Sequence, residues 1–158
     1  MSNPLLLAGA LLVSAVVAAA DTPTAQTFKR TISREVGYRY LLHLPPNHAV
    51  DPARLWPLII FQHGSGERGE DPWLVAKHGP PKLIRTPAAE GPAAEAARVL
   101  ANEFIVVSPQ CPPGTWWDDE AVLALVDEIS ARHRVDPARV LRTGLCMGGY
   151  GTWSSAVK

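Results

Sequence analysis

Cys146 stands at the centre of Gly144-Leu145-Cys146-Met147-Gly148, and a thiol in that setting is equipped for nucleophilic acyl transfer. Thiolate is a strong nucleophile, and the start of a helix is a place where thiols lose their proton more readily. The flanking residues describe a short strand, a very tight corner and the first turns of a helix. This is the arrangement called a nucleophile elbow, in which strained backbone lifts the apex side chain clear of a sheet. Serine usually occupies the apex; here it is cysteine. Residues two before and two after the apex must be small to avoid collision across the corner, which Gly144 and Gly148 satisfy. Gly149 and Gly151 are expected to let the helix lie close to its neighbours.

A second stretch with chemical potential is Gln62-His63-Gly64-Ser65-Gly66-Glu67-Arg68-Gly69. It follows Trp56-Pro-Leu-Ile-Ile-Phe61, an apolar run of the kind a strand buried on both faces requires. Buried strands ending in Gly-rich loops are where α/β sheets place their binding machinery, and backbone N–H groups there can converge on developing negative charge. No clustered His, Cys or acidic spacing suits a metal, and no motif implies an organic cofactor.

These two stretches need a scaffold. Thr27–Ser33 and Tyr38–Leu44 are expected to form an antiparallel pair of strands at a sheet edge, the second stopped by Pro45-Pro46. Asp71–Pro92 reads as a long irregular connection in which Pro80 and Pro81 prevent a continuous helix. Ala93–Asn102 has helical composition, and Glu103–Ser108 is a second buried-type strand. Asp118-Asp119-Glu120 suit a helix N-terminus. Val122, Leu123, Leu125, Val126 and Ile129 then supply an apolar stripe to about His133. Asp136-Pro137 makes a turn, and Val140–Thr143 enters the elbow. Alternating strands and helices imply right-handed crossovers and a mainly parallel sheet flanked by helices, with antiparallel strands at the N-terminal edge.

With 158 residues the chain allows one domain, and 15 basic against 15 acidic residues give no electrostatic footprint for nucleic acid. Leu5–Ala20 is an almost unbroken apolar run ending Ala18-Ala19-Ala20, which reads as a cleavable secretory signal over residues 1–20. Export follows, to a periplasmic or extracellular setting, with no stable membrane partner after cleavage. The alternative is an uncleaved N-terminal anchor. Residues 21–26 form a linker, and 27–158 the domain. Two cysteines are too few for a disulfide framework, and sequence leaves open whether Cys111 and Cys146 pair.

Three segments together resemble the α/β-hydrolase superfamily: Phe61–Gly69, Val106–Pro112 with Trp116-Trp117, and Gly144–Trp153. More narrowly they are similar to exported phospholipase/carboxylesterase-like (predicted peptidase or esterase) proteins. That resemblance implies an ester hydrolase with Cys146 as nucleophile. It assigns the Met147 and Ser65 N–H groups to an oxyanion hole, with His63, Gly64 and Gly66 supporting the loop and Gly144 and Gly148 the elbow. Trp116 and Trp117 are either walls of an acyl or aromatic pocket or plain core. The implied substrate is a small-molecule or carbohydrate-linked ester. Dienelactone hydrolases share the Gly-x-Cys-x-Gly elbow and are the nearest alternative, and a catalytically silent relative kept for binding is another. In the family the triad acid and histidine follow the nucleophile, whereas residues 147–158 contain no Asp, Glu or His. The sequence therefore reads as the N-terminal part of an α/β-hydrolase domain, inactive alone, with Val140–Thr143 left as an apolar edge.

Overall fold

In the computed structural model the described residues are 25–31 and 33–156. The signal-peptide expectation and most of the linker lie outside them. The chain divides into a unit up to Ser33 and a unit from Arg34 onward. In the first unit, described residues 25–31 and 33 are exposed and form neither helix nor strand. The expected strand at Thr27–Ser33 is therefore not seen.

Four strands make one sheet in the second unit: β1 (Arg39–His43), β2 (Trp56–Gln62), β3 (Ile105–Gln110) and β4 (Val135–Gly144), in the order β1-β3-β2-β4. β2 runs parallel to both neighbours, with Ile59 opposite Val106 on one side and Leu141 on the other. β1 pairs antiparallel with β3, placing Leu41 opposite Ser108. The antiparallel edge is thus real, but its partner is a strand more than sixty residues away. Proximity in sequence favoured the pair 27–33 with 38–44. The buried, β-branched Ile105-Val106-Val107 run offers β1 a better ladder.

Every residue of β2 is buried, as its unbroken apolar run demands, because helices cover both faces. Leu58, Ile60, Ile105 and Val107 pack with Val122, Leu125 and Ile129 of α3 (Asp119–Arg132). Asp118 caps that helix by accepting from the Glu120 and Ala121 N–H groups. Leu123, expected in the stripe, is exposed instead. The opposite face carries α1 (Gly79–Arg85) and α2 (Pro92–Glu103). Pro80 and Pro81 do not block α1; they start it, since the first helical turn needs no N–H donors. Gly79 precedes them at φ +62°, where any Cβ would stand 2.6 Å from the Phe61 ring. β4 begins at Val135, earlier than the sequence suggested, and takes in Asp136-Pro137 at a register irregularity opposite Trp56–Leu58. Among the described residues β4 has no strand on its far side.

Candidate active site

β2 and β4 end together, with Gln62 opposite Gly144 in the last register pair. Each strand then turns off the sheet, so the loop after β2 and the corner after β4 emerge side by side. The Leu145 N–H donates to the Gln62 carbonyl at 3.1 Å, extending the seam by one bond into the corner. Immediately beyond it, Cys146 takes φ +52°, the sole non-glycine positive φ among the described residues. Such backbone costs roughly 1–2 kcal/mol for an L-residue. The chain then enters α4 (Met147–Ala156), where the Tyr150 N–H donates to the Cys146 carbonyl at 3.2 Å. The strand, strained apex and helix of an elbow are all present, and Cys146 is exposed.

Glycine is compulsory on both sides of this apex. A Cβ on Gly144 would lie 2.2 Å from the Gly148 carbonyl carbon, and one on Gly148 only 1.8 Å from the Gln62 carbonyl oxygen. The collision foreseen across the corner is there, and Gly148 also seats α4 on the end of β2. Gly151 does the same against Trp117 Cβ, at 2.8 Å. Gly149 departs from expectation: its added Cβ would meet the Gly144 oxygen at an ordinary 3.5 Å.

Gly64 faces the corner. A Cβ there would come within 3.6 Å of both Cys146 Cβ and the Leu145 carbonyl oxygen. Ser65 follows at the start of a short 3-10 turn (Ser65–Glu67) whose cap residue Gly64 contributes no side-chain bond. Met147 is buried and opens α4. Gly66 has open space around it, so no steric demand explains that glycine.

His63 is 1% exposed and has both ring nitrogens occupied. The Cys111 N–H donates to Nε2 at 2.9 Å, so Nε2 carries the lone pair and the Nδ1 proton is donated to the Gly64 carbonyl at 2.5 Å. Burial pushes this imidazole below its ordinary pKa and keeps it neutral. His63 thus staples the loop after β2 to the loop after β3, as a brace. Trp117 completes the staple: its Nε1 donates to the His63 carbonyl at 3.2 Å, and its ring lies edge-on at 4.9 Å. Of the two readings for Trp117 the structure selects core. Trp116 is 64% exposed and meets Tyr150 of α4 edge-on at 6.0 Å. Cys111 is buried, with its thiol beside the Thr115 hydroxyl and its pKa raised by burial. Both cysteines are free.

Sequence reading missed Glu67. Sequence alone gives it no role of its own within the Gly-rich loop, yet it is 7% exposed, beside Gly64. A groove of about 270 Å³ over β1 and β3, lined by Leu41, Trp73, Ala76, Pro81, Ile84 and Arg85, takes no wall from the elbow or the His63–Gly66 loop. Among the described residues no group of His, Cys, Asp and Glu is arranged to hold a metal ion.

The class these features define is α/β: a mixed sheet with flanking helices and a cysteine-bearing strand-turn-helix corner at the carboxyl ends of adjacent parallel strands. No family model matches the chain, and no curated protein does. Among solved structures, a thermostable esterase is similar at a TM-score of 0.55 and 30% identity, over 75% of this chain and 32% of the esterase. The chain therefore spans about a third of that esterase's length. At this coarse level the mixed sheet with flanking helices matches the corresponding part of that esterase.

Proposed function

We propose that this chain carries the nucleophile and oxyanion-binding portion of an exported ester hydrolase working through Cys146. The observation that carries the reading is the apex itself: a strained, exposed thiol where two parallel strands end, next to a loop free of side chain at Gly64. Strain of this kind persists where the surroundings over-determine it, and it clusters at sites with a function.

In the chemistry that follows, the Cys146 thiolate adds to the ester carbonyl carbon, and the carbonyl electron pair moves onto oxygen. The Met147 and Ser65 N–H groups hold that oxyanion. Collapse breaks the ester C–O bond and leaves a thioester on Cys146. The departing alkoxide takes from water the proton that the thiol gave up on ionising and leaves as the alcohol. Water then cleaves the thioester, releasing the acid and restoring the thiol. The substrate class is a small-molecule or carbohydrate-linked ester. Export rests on the apolar run Leu5–Ala20.

Exposure of the chain to p-nitrophenyl acetate, followed by peptide mass mapping, tests the reading. One acetyl group is expected on Cys146, absent from Cys146→Ala and retained in Cys111→Ser. Acetyl groups confined to other residues, or none at all, would sink it.

A further inference from the structure

Gly64 separates two groups that water would ordinarily keep apart. The position a Cβ would take on Gly64 is 3.6 Å from Cys146 Cβ and 3.3 Å from Glu67 Oε2. A carboxylate and the candidate nucleophile therefore flank one small gap. Glu67 is largely removed from water, its side chain only 10% exposed, and burying a carboxylate is costly unless something compensates it.

A carboxylate kept to hold the loop would accept backbone N–H groups. Glu67 instead bonds through its backbone: its N–H donates to the Gly64 carbonyl at 3.4 Å, and its carbonyl accepts from Gln110 Nε2 at 2.9 Å. The carboxylate's own partner is His78, whose Nε2 lies 3.7 Å from Oε1 and whose side chain is half exposed. The neighbouring Arg68 and His63 do not bond this carboxylate. Arg68 donates to the Ser65 and Thr115 carbonyls, and His63 is neutral with both nitrogens used. The loop would keep its hydrogen bonds without this carboxylate, so its charge needs another account.

We propose that Glu67 is a specificity-determining residue: its carboxylate gives the approach to Cys146 a negative field. The site then accepts esters that are neutral or cationic near the scissile carbonyl and turns away those bearing carboxylate or phosphate there. The inference rests on Cys146 being the nucleophile and adds the substrate's charge to that reading. Unit charges several ångströms apart near a protein surface interact by enough to change a rate about tenfold.

Two alkylating reagents of nearly equal size and different charge read this field without any ester. Iodoacetamide is neutral and iodoacetate anionic. Their rate ratio at Cys146, followed by peptide mass mapping, cancels effects of thiolate fraction, which act on both alike. The wild-type ratio is expected to favour iodoacetamide well beyond the ratio for free cysteine. Glu67→Gln should narrow it by about tenfold. His78→Lys, which sets a permanent cation beside an intact Glu67, should narrow it also and serves if Glu67→Gln does not fold. Ratios unchanged in the folded variants would overturn the proposal. A Cys146 that reacts with neither reagent would instead remove the nucleophile reading, and this one with it.

Discussion

β2 and β4 lie side by side and finish at the same corner, yet they are held in opposite ways. β2 is buried along its whole length, sandwiched by helices and paired on both edges. β4 has one buried residue, Val135, exposes Leu141 at 49%, and is paired along β2 alone among the described residues. The site is therefore half anchored in the interior and half hung from it. What fixes the elbow is less its own strand than the closeness of glycine to backbone at the top of the seam.

The sharpest way to break this comparison is Gly148→Ala. Its methyl group cannot coexist with the Gln62 carbonyl at 1.8 Å, so β4 and α4 must separate from β2. A loss of about 3 kcal/mol or more is expected in urea unfolding, with hydrogen-exchange protection vanishing first at Leu145. Next come matched truncations on the two strands. Leu58→Ala should cost about 2–5 kcal/mol, while Leu141→Ala should stay within about 0.5 kcal/mol. Comparable losses at the two positions would contradict the asymmetry described here. Lowering the pH probes the staple at the end of β2. Because burial depresses the folded pKa of His63, its contribution is complete above the ordinary histidine value and is lost as pH falls below about 6.5. The loss can reach about 1.4 kcal/mol per pH unit per histidine. His48 and His133 are depressed by burial as well and act in the same direction. His63→Gln should therefore flatten the slope of stability against pH without abolishing it. Smallest is Cys146→Gly, which relieves the left-handed backbone but adds unfolded-state entropy. A net gain of about 0.5–1 kcal/mol is expected in the same unfolding assay, with acylation lost.

Much of the fold was legible because strong local signals agree with the tertiary structure. The run Trp56–Phe61 has no polar interruption, and the spacing of Gly144, Cys146 and Gly148 admits few backbones. The failures share a cause. β1 chose its partner across the chain, which no local pattern records. Pro80-Pro81 read as breakers because their position within the first turn was unknown. Glu67 and Trp117 were hidden for the same reason: whether a side chain in a loop is buried depends on what arrives from elsewhere. For these two, that is Gly64 beside Cys146 and His63 beside Cys111.

The His63 tautomer has a practical corollary. A neutral imidazole whose proton is pinned between Nδ1 and the Gly64 carbonyl at 2.5 Å, in a residue sealed from water, should exchange slowly and resonate far downfield. That single proton signal would serve as an intrinsic spectroscopic reporter of the loop facing Cys146, readable in the absence of any substrate.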